Sequence, residues 1–176
     1  MKAILFALFV GLLMVGCGEG LLLEKLLLNG KHTEYYDDGQ KKEEGNYKDS
    51  EKEGLWTKWY ENGQKAQEEN YKNGKLDGLS THWYENGQKE WEANWKDGNQ
   101  HGLSTHWYEN GQKEGESNWR DGKIISAVHW KPNGEKCPVT NIDEDGNGFW
   151  LEYKDDGTES YRFIFKDGEP VEELTP

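Results

Sequence analysis

The sequence predicts an all-β protein, an open single-layer antiparallel β-meander built from tandem hairpins. One phrase recurs along the 176-residue chain, most clearly as LSTHWYENGQK at residues 79–89 and again at 103–113. The turn glycine of this phrase recurs at steps of 24, 24, 24, 23 and 23 residues, at Gly39, Gly63, Gly87, Gly111, Gly134 and Gly157. A fixed period of this length is typical of repeat proteins, in which each unit buries its apolar face against its neighbours.

Each repeat is predicted to form one β-hairpin. In the second repeat the first strand covers residues 55–60, which are rich in side chains that pack well on a pleated surface. Asn62 and Gly63 then accept the positive φ angles that a tight turn demands. The second strand covers residues 64–71, and Asn73-Gly74 turns the chain back. Both connections are short, so we expect neighbouring strands to be antiparallel over residues 30–170. The N-terminal residues are expected to form a separate signal helix.

Two columns of large side chains accompany the turn glycines. The first lies four residues before each glycine, at Tyr35, Trp59, Trp83, Trp107, Trp130 and Tyr153. The second lies eight residues after it, at Tyr47, Tyr71, Trp95, Trp119, Ile142 and Phe165. If the hairpin loop has three residues, Trp59 pairs with Lys65, and we expect both columns to form one buried stripe on one face. A two-residue loop would place them on opposite faces; we favour three residues, because a thin sheet needs its large rings pooled.

Residues 1–16 are predicted to be a lipoprotein signal peptide. Lys2 precedes an almost wholly apolar stretch, and the ending Met14-Val-Gly-Cys17 resembles the lipobox of bacterial lipoproteins. This resemblance implies an acyl chain on Cys17 that holds an exported protein in the cell envelope. In the lipoproteins that this ending resembles, Asp after the cysteine holds the protein on the inner membrane. Gly18 stands there instead, so the resemblance implies the outer membrane in a cell that has two.

The remaining segments flank the repeats. Residues 17–29 are expected to be a tether, and their leucine run at 21–28 is either a cap over the first repeat or a membrane-proximal segment. Residues 171–176 are expected to be a short tail.

Composition excludes several functions. The chain has 21 basic and 34 acidic residues, for a net charge of −13, and it has no basic patch, so nucleic acid is not an expected partner. With Cys17 acylated, Cys137 has no partner cysteine, and no disulfide framework exists. Carboxylates such as Glu68 and Glu92 recur in each of the first four repeats, as structural positions do, and they mark no unique catalytic cleft. We therefore expect no enzyme activity and no cofactor.

Two groups of residues are weak candidates for metal binding. His82, His106 and His129 share one repeat position, but equivalent strands lie about 10 Å apart, too far for one ion. We expect them to face solvent or cross-strand neighbours, with His106 exposed. Asp143, Asp145 and Asn147 resemble the first half of an EF-hand loop, yet the position that should hold a bidentate Glu is Lys154.

The phrase Trp-Tyr-x-Asn-Gly-Gln-Lys, with an aromatic residue eight positions after the glycine, resembles the bacterial variant of the MORN repeat. The resemblance covers roughly residues 30–170 and is strongest over residues 55–122, whereas the fifth unit departs at Lys131 and Pro132. Many proteins of this type are named YwqK-type antitoxins.

The resemblance implies an open meander used for binding. We expect a protein partner, of unknown identity, that contacts the polar sheet face and the turn tips. The alternative is a cell-wall or glycan ligand that stacks on exposed Trp83, Trp107 and Trp130.

Overall fold

The computed structural model describes residues 28–137, 140–154 and 156–174, which form one open antiparallel sheet of 13 strands in chain order. The strands are β1 (Gly30–Tyr35), β2 (Lys41–Lys48), β3 (Glu51–Trp59), β4 (Lys65–Lys72), β5 (Lys75–Trp83), β6 (Lys89–Lys96), β7 (Asn99–Trp107), β8 (Lys113–Arg120), β9 (Lys123–His129), β10 (Asn141–Ile142), β11 (Gly148–Tyr153), β12 (Glu159–Lys166) and β13 (Glu169–Leu174). The described residues contain no helix, so the predicted all-β meander is confirmed.

The ends of the array differ from one another. Strand β1 begins at Gly30, where the repeats were predicted to start, but β13 runs to Leu174 and so takes up most of the expected tail. The predictions for the signal peptide, for Cys17 and for the tether lie outside the described residues, apart from Leu28 and Asn29. Leu28 extends the sheet edge, because its carbonyl accepts a hydrogen bond from Ser50 N–H.

The hairpin loop has three residues, as predicted. Tyr60 N–H donates to the Gln64 carbonyl at 2.9 Å, and Gly63 N–H donates back to the Tyr60 carbonyl at 3.0 Å. Gly63 has a φ of 81°, the left-handed conformation that glycine adopts without strain. Trp59 lies opposite Lys65, so this part of the register is the expected one.

The expectation that both columns share one face is wrong, and a β-bulge is the reason. Lys58 lies opposite Gln67 while Trp59 lies opposite Lys65, which leaves Ala66 as an extra residue without a cross-strand partner. The extra residue shifts the alternation of β4 by one position. Tyr71 therefore lies opposite Gly54, on the other side of the sheet from Trp59.

The same register shift recurs in the first, third and fourth hairpins, so the sheet has two distinct faces. We call the side that carries Leu55, Leu79 and Leu103 the leucine face, and it also carries the Trp59 column. We call the side that carries His82, His106 and His129 the histidine face, and it also carries the Tyr71 column. The register pairs assign these sides strand by strand.

The histidine face holds most of the core. A row of small side chains crosses its centre, and its members are 0–2 % exposed: Ser80, Ala93, Ser104 and Ser117. The large rings on either side cover this row; for example, Trp119 Nε1 donates to Ser117 Oγ at 2.7 Å. Near the C-terminal end, Ile124, Ala127 and Ile142 form an apolar cluster against further aromatic rings. The core is thus a layer of rings on one side of a single sheet.

Candidate functional site

A ladder of tyrosine hydroxyls ties each repeat to the next. Each hydroxyl donates to the backbone carbonyl of the column tryptophan in the following repeat, at 2.6–2.8 Å. The four pairs are Tyr36–Trp59, Tyr60–Trp83, Tyr84–Trp107 and Tyr108–Trp130. The ladder stops where Lys131 replaces the tyrosine. The tyrosine of the repeated phrase is therefore a structural residue.

The Asn-Gly-Gln string has a structural role as well. Asn62 Oδ1 accepts from Gln64 N–H within its own turn, and its Nδ2 donates to the Glu85 carbonyl in the next turn at 2.9 Å. Gln64 in turn lies over Gly87, where a Cβ atom would collide with its Oε1. All six turn glycines have φ between 81° and 90°. These residues therefore build the hairpin edge.

The leucine face presents apolar side chains to solvent. Leu55, Leu79 and Leu103 are 50 %, 43 % and 46 % exposed, although each sits in the middle of a strand. They occupy equivalent positions in three successive repeats, directly after Gly54, Gly78 and Gly102. The sequence analysis missed them as a functional group. Each leucine is followed directly by a buried residue, such as Ser80 after Leu79. Adjacent residues of a strand point to opposite sides of the sheet, and this alternation was the available signal.

The tryptophan column on this face is partly covered by the chain's own cations. Lysine ammonium groups lie 5.4–5.9 Å from the ring centroids of the next repeat: Lys41 over Trp59, Lys65 over Trp83, Lys89 over Trp107, Lys113 over Trp130 and Lys131 over Tyr153. The first four of these lysines also pair with a glutamate three residues on, such as Glu92 for Lys89. The hydrogen bond from Lys41 lowers the pKa of Glu44. In the centre of the leucine face, the charges of these lysines and glutamates therefore balance one another.

The histidine column lies among aromatic rings, so the expectation of an exposed His106 is wrong. The Trp91 ring stacks between His82 at 4.0 Å and His106 at 6.5 Å, centroid to centroid. The His129 ring contacts Trp150 at 4.3 Å and is 1 % exposed. Burial lowers the pKa of His106, and burial together with the nearby His106 lowers the pKa of His129 to about 3. Because the Trp91 ring lies between the rings of His82 and His106, these three rings form a packed ladder.

Glu69 is the most perturbed carboxylate of the histidine face. Its carboxylate accepts hydrogen bonds from Tyr71 Oη at 2.6 Å, from Gln67 Nε2, and from His82 Nε2 at 3.3 Å. Burial would raise the pKa of Glu69, but the hydrogen bonds from these three residues outweigh it and lower the pKa to about 2. Neighbouring Ser80 Oγ is fully buried. The Glu69 carboxylate already accepts three hydrogen bonds, and the Ser80 hydroxyl beside it is inaccessible. This arrangement fits a structural role better than acid–base catalysis.

The calcium-like loop is used as a hairpin turn. Asp143 Oδ1 accepts from Asp145 N–H at 3.1 Å and from Asn147 N–H at 2.9 Å. Asn147 Oδ1 accepts from Asp167 N–H in the next turn at 3.1 Å. The side-chain oxygens of Asp143 and Asn147 thus accept hydrogen bonds from backbone N–H groups of the turns.

A different group gathers three possible metal ligands. Among the described residues, His32, Glu34 and Glu43 bring their ligand atoms within 4.8 Å of one another. Lysines already pair with these carboxylates, at 3.8 Å for Lys42–Glu34 and 3.3 Å for Lys52–Glu43. The group is therefore a network of ion pairs.

Cys137 lies in the irregular link between the fifth and sixth repeats. It is buried, and its Sγ lies 3.3 Å from Tyr153 Oη and 3.6 Å from Thr140 Oγ1. The thiol is buried between these two side chains.

Comparison with known proteins identifies the repeats. A family model described as the MORN repeat variant matches residues 28–49, 52–73, 76–97 and 100–121, which together make up half of the chain. Each matched segment contains one of the first four hairpins. No curated protein matches the chain. In the part of the chain that the structure describes, no helix is long and apolar enough to cross a membrane.

Proposed function

This chain belongs to the MORN repeat variant family, and from that premise we propose that it is a non-catalytic protein-interaction module, lipid-anchored through Cys17 in the cell envelope. MORN repeats are in general protein- or membrane-interaction modules, and their meander is not the fold of a known enzyme family. An antitoxin role, which the YwqK-type resemblance implies, would be one form of such an interaction.

The row of exposed leucines carries the proposal. Three leucines that stand 43–50 % exposed at equivalent positions form a row on a strongly acidic protein, with Asn70 and Asn94 of the intervening strands between them. Leaving these leucines in water costs free energy that a partner recovers, and for this reason we take the row as the contact site. The histidine face has less to offer a partner, because its rings already cover one another and the small residues beneath them. We place the partner on the leucine face rather than only on polar residues and turn tips.

The glycan alternative has weaker support. A sugar that stacked on Trp83 or Trp107 would have to displace Lys65 or Lys89 from the ring, and each lysine also pairs with a glutamate. The rings are half-buried along the sheet, whereas the leucines beside them are exposed. A protein partner therefore fits this face better than a sugar does.

The lipid anchor rests on the Met14-Val-Gly-Cys17 ending. Radioactive palmitate should label the wild-type protein and leave Cys17→Ala unlabelled. Equal labelling of both proteins, or of neither, refutes the anchor without touching the proposed binding surface.

Affinity capture from envelope extract tests the binding function. The wild-type protein should retain a discrete protein, and Leu79→Asp should lose it. Val171→Asp is the matched control, because Val171 is 58 % exposed on the last strand, away from the leucine row. No captured protein, together with a saturable tryptophan fluorescence change on adding peptidoglycan fragments, would replace the proposal by the glycan alternative.

A further inference from the structure

We infer that the partner of the leucine face is an amphipathic α-helix that lies across the strands and places one apolar residue of every seven against this row. The inference rests on the proposed function, and it names the shape and chemistry of the partner. It follows from the spacing of the leucines, the distance between the leucine row and the tryptophan column, and the charge of the chain.

The spacing of the leucine row matches a helical heptad. Leu55, Leu79 and Leu103 lie on β3, β5 and β7, so two strand spacings, about 9.4–9.8 Å, separate each from the next. Seven residues of an α-helix rise about 10.5 Å and return to nearly the same side. The helical repeat exceeds the leucine spacing by about 1 Å per heptad, or about 2 Å over the three leucines.

An extended peptide fits this row poorly. Three residues of a strand also span about 10 Å, but successive side chains point to opposite sides, so positions i and i+3 cannot both face the leucines. A polyproline segment has three residues per turn and about 9.3 Å per turn, and it is the one rival with a similar repeat. The width of the binding site distinguishes an α-helix from a polyproline segment as its occupant.

The leucine row and the tryptophan column border a strip of the sheet, which we call the trough, and its centre is covered by threonines and by the glutamates of the neighbouring strands. On β5, Leu79 and Trp83 point the same way and are four residues apart, about 13 Å along the strand. Between them lies the shorter Thr81, 6 % exposed, whose Oγ1 hydrogen bonds with Glu92 at 3.3 Å. An α-helix with its side chains is about 10–12 Å wide and can contact both the leucine row and the tryptophan column, whereas a polyproline segment is thinner.

The uninterrupted run of leucines covers three successive repeats, and Phe149, 44 % exposed, holds the same position in the sixth repeat. The position of the leucine is taken by Lys31 in the first repeat, and Ser126 on the next odd-numbered strand is half-buried. The outer leucines are four strand spacings apart, about 19 Å, which corresponds to roughly 14 residues of helix. Each of the three leucines contacts one heptad, so a complete binding helix needs about three heptads.

Charge defines the rest of the partner. The chain carries a net charge of −13, so a helix with lysine or arginine beside its apolar row gains attraction over the whole surface. Within the trough, Glu92 and its equivalents are already paired with lysines. The cations of the partner are thus expected at its edges and away from its apolar row.

Defined peptides test the inference on the full mature protein. The probe is a lysine-rich 21-residue helical peptide with leucine at every seventh position. The first control peptide has the same composition with leucines at every ninth position, which turns successive leucines to opposite sides. The second is a lysine-containing polyproline peptide with leucine at every third position. Fluorescence anisotropy at roughly 0.15 M salt gives the three dissociation constants.

We expect the heptad peptide to bind at least about tenfold tighter than either control. Leu79→Asp should weaken that binding at least about tenfold, and Val171→Asp should leave it unchanged, which separates the leucine row from the added charge. Equal affinity for the first two peptides, tighter binding of the polyproline peptide, or no effect of Leu79→Asp overturns the helix. If the envelope partner is still lost from Leu79→Asp while the peptides show no preference, the helix fails and the proposed function stands.

Discussion

The hydroxyl of Tyr84 donates a 2.8 Å hydrogen bond to the backbone carbonyl of Trp107, 23 residues further along the chain. It joins the turn ends of two successive hairpins, beside the hydrogen bond from Asn86 Nδ2 to the Glu109 carbonyl. Because the same bond recurs in three other pairs of repeats, it forms a continuous ladder along the edge of the meander. A single-layer sheet has no second layer to brace it, and this ladder supplies part of that support.

Tyr84→Phe should lower the free energy of unfolding by about 0.5–1.5 kcal/mol, because it removes one rung and leaves the Trp107 carbonyl without that donor. Chemical denaturation measures the change. Tyr161→Phe is the control: Tyr161 is 43 % exposed and lies outside the ladder, so its variant should match the wild type. Equal losses in both variants would show that the ladder contributes nothing specific.

Gly111→Ala should cost about 1–2 kcal/mol, because its φ of 82° is a conformation that alanine resists. Gly111→Asn isolates the backbone effect, since asparagine tolerates this conformation, as Asn73 does at a φ of 48°. Both substitutions place a Cβ atom against Gln88 Oε1. A smaller loss for asparagine in denaturation curves therefore measures backbone strain, and identical losses would assign the cost to the crowded glutamine.

His129→Phe should flatten the dependence of stability on pH. The folded-state pKa of His129 is about 3, below its ordinary value, so between these values the unfolded chain takes up a proton that the native state refuses. Stability is therefore lost as pH falls below about 6.5. From pH 7 to pH 5 the wild type should lose about 1–2 kcal/mol more than the variant.

The same variant should be at least as stable as the wild type at pH 7. Both ring nitrogens of His129 are buried and have no hydrogen-bond partner among the described residues, so phenylalanine removes two unmet polar groups while keeping a ring against Trp150. Parallel pH curves for the two proteins would contradict the assignment of a buried, neutral His129.

Leu79→Asp should leave the free energy of unfolding within about 0.5 kcal/mol of the wild type, because the Leu79 side chain is 43 % exposed. Denaturation of this variant is the necessary companion to its loss of binding. A large loss of stability would mean that the leucine row supports the fold, and the binding result would then have to be repeated with the milder Leu79→Ser.

The repeat period and the Asn62-Gly63 turn were enough to predict the meander and its three-residue loop, because both depend on local backbone chemistry. The faces could not be predicted in the same way. The bulge falls on Ala66 in one repeat and on Glu90 in the next, so no side chain marks it. Once the bulge is missed, every side-chain direction beyond it is reversed.

This reversal explains both wrong expectations about the site. The two aromatic columns were placed on one face, which left His106 and its equivalents on the solvent side. In the structure His106 belongs to the ring layer, and the exposed row is made of leucines such as Leu79. Leucine in a strand reads as core in a sequence, and only the register shows that these three lie opposite the packed side.

Site-specific photo-crosslinking in intact cells tests the central claim most directly, namely that the leucine face is the contact surface. A photoreactive residue at Leu79 is compared with one at Tyr161, which is equally exposed, at 43 %, and lies beside Phe163 on the histidine face. We predict a discrete protein adduct from position 79 and none from position 161. An adduct from position 161 alone, or from neither position, would contradict the account.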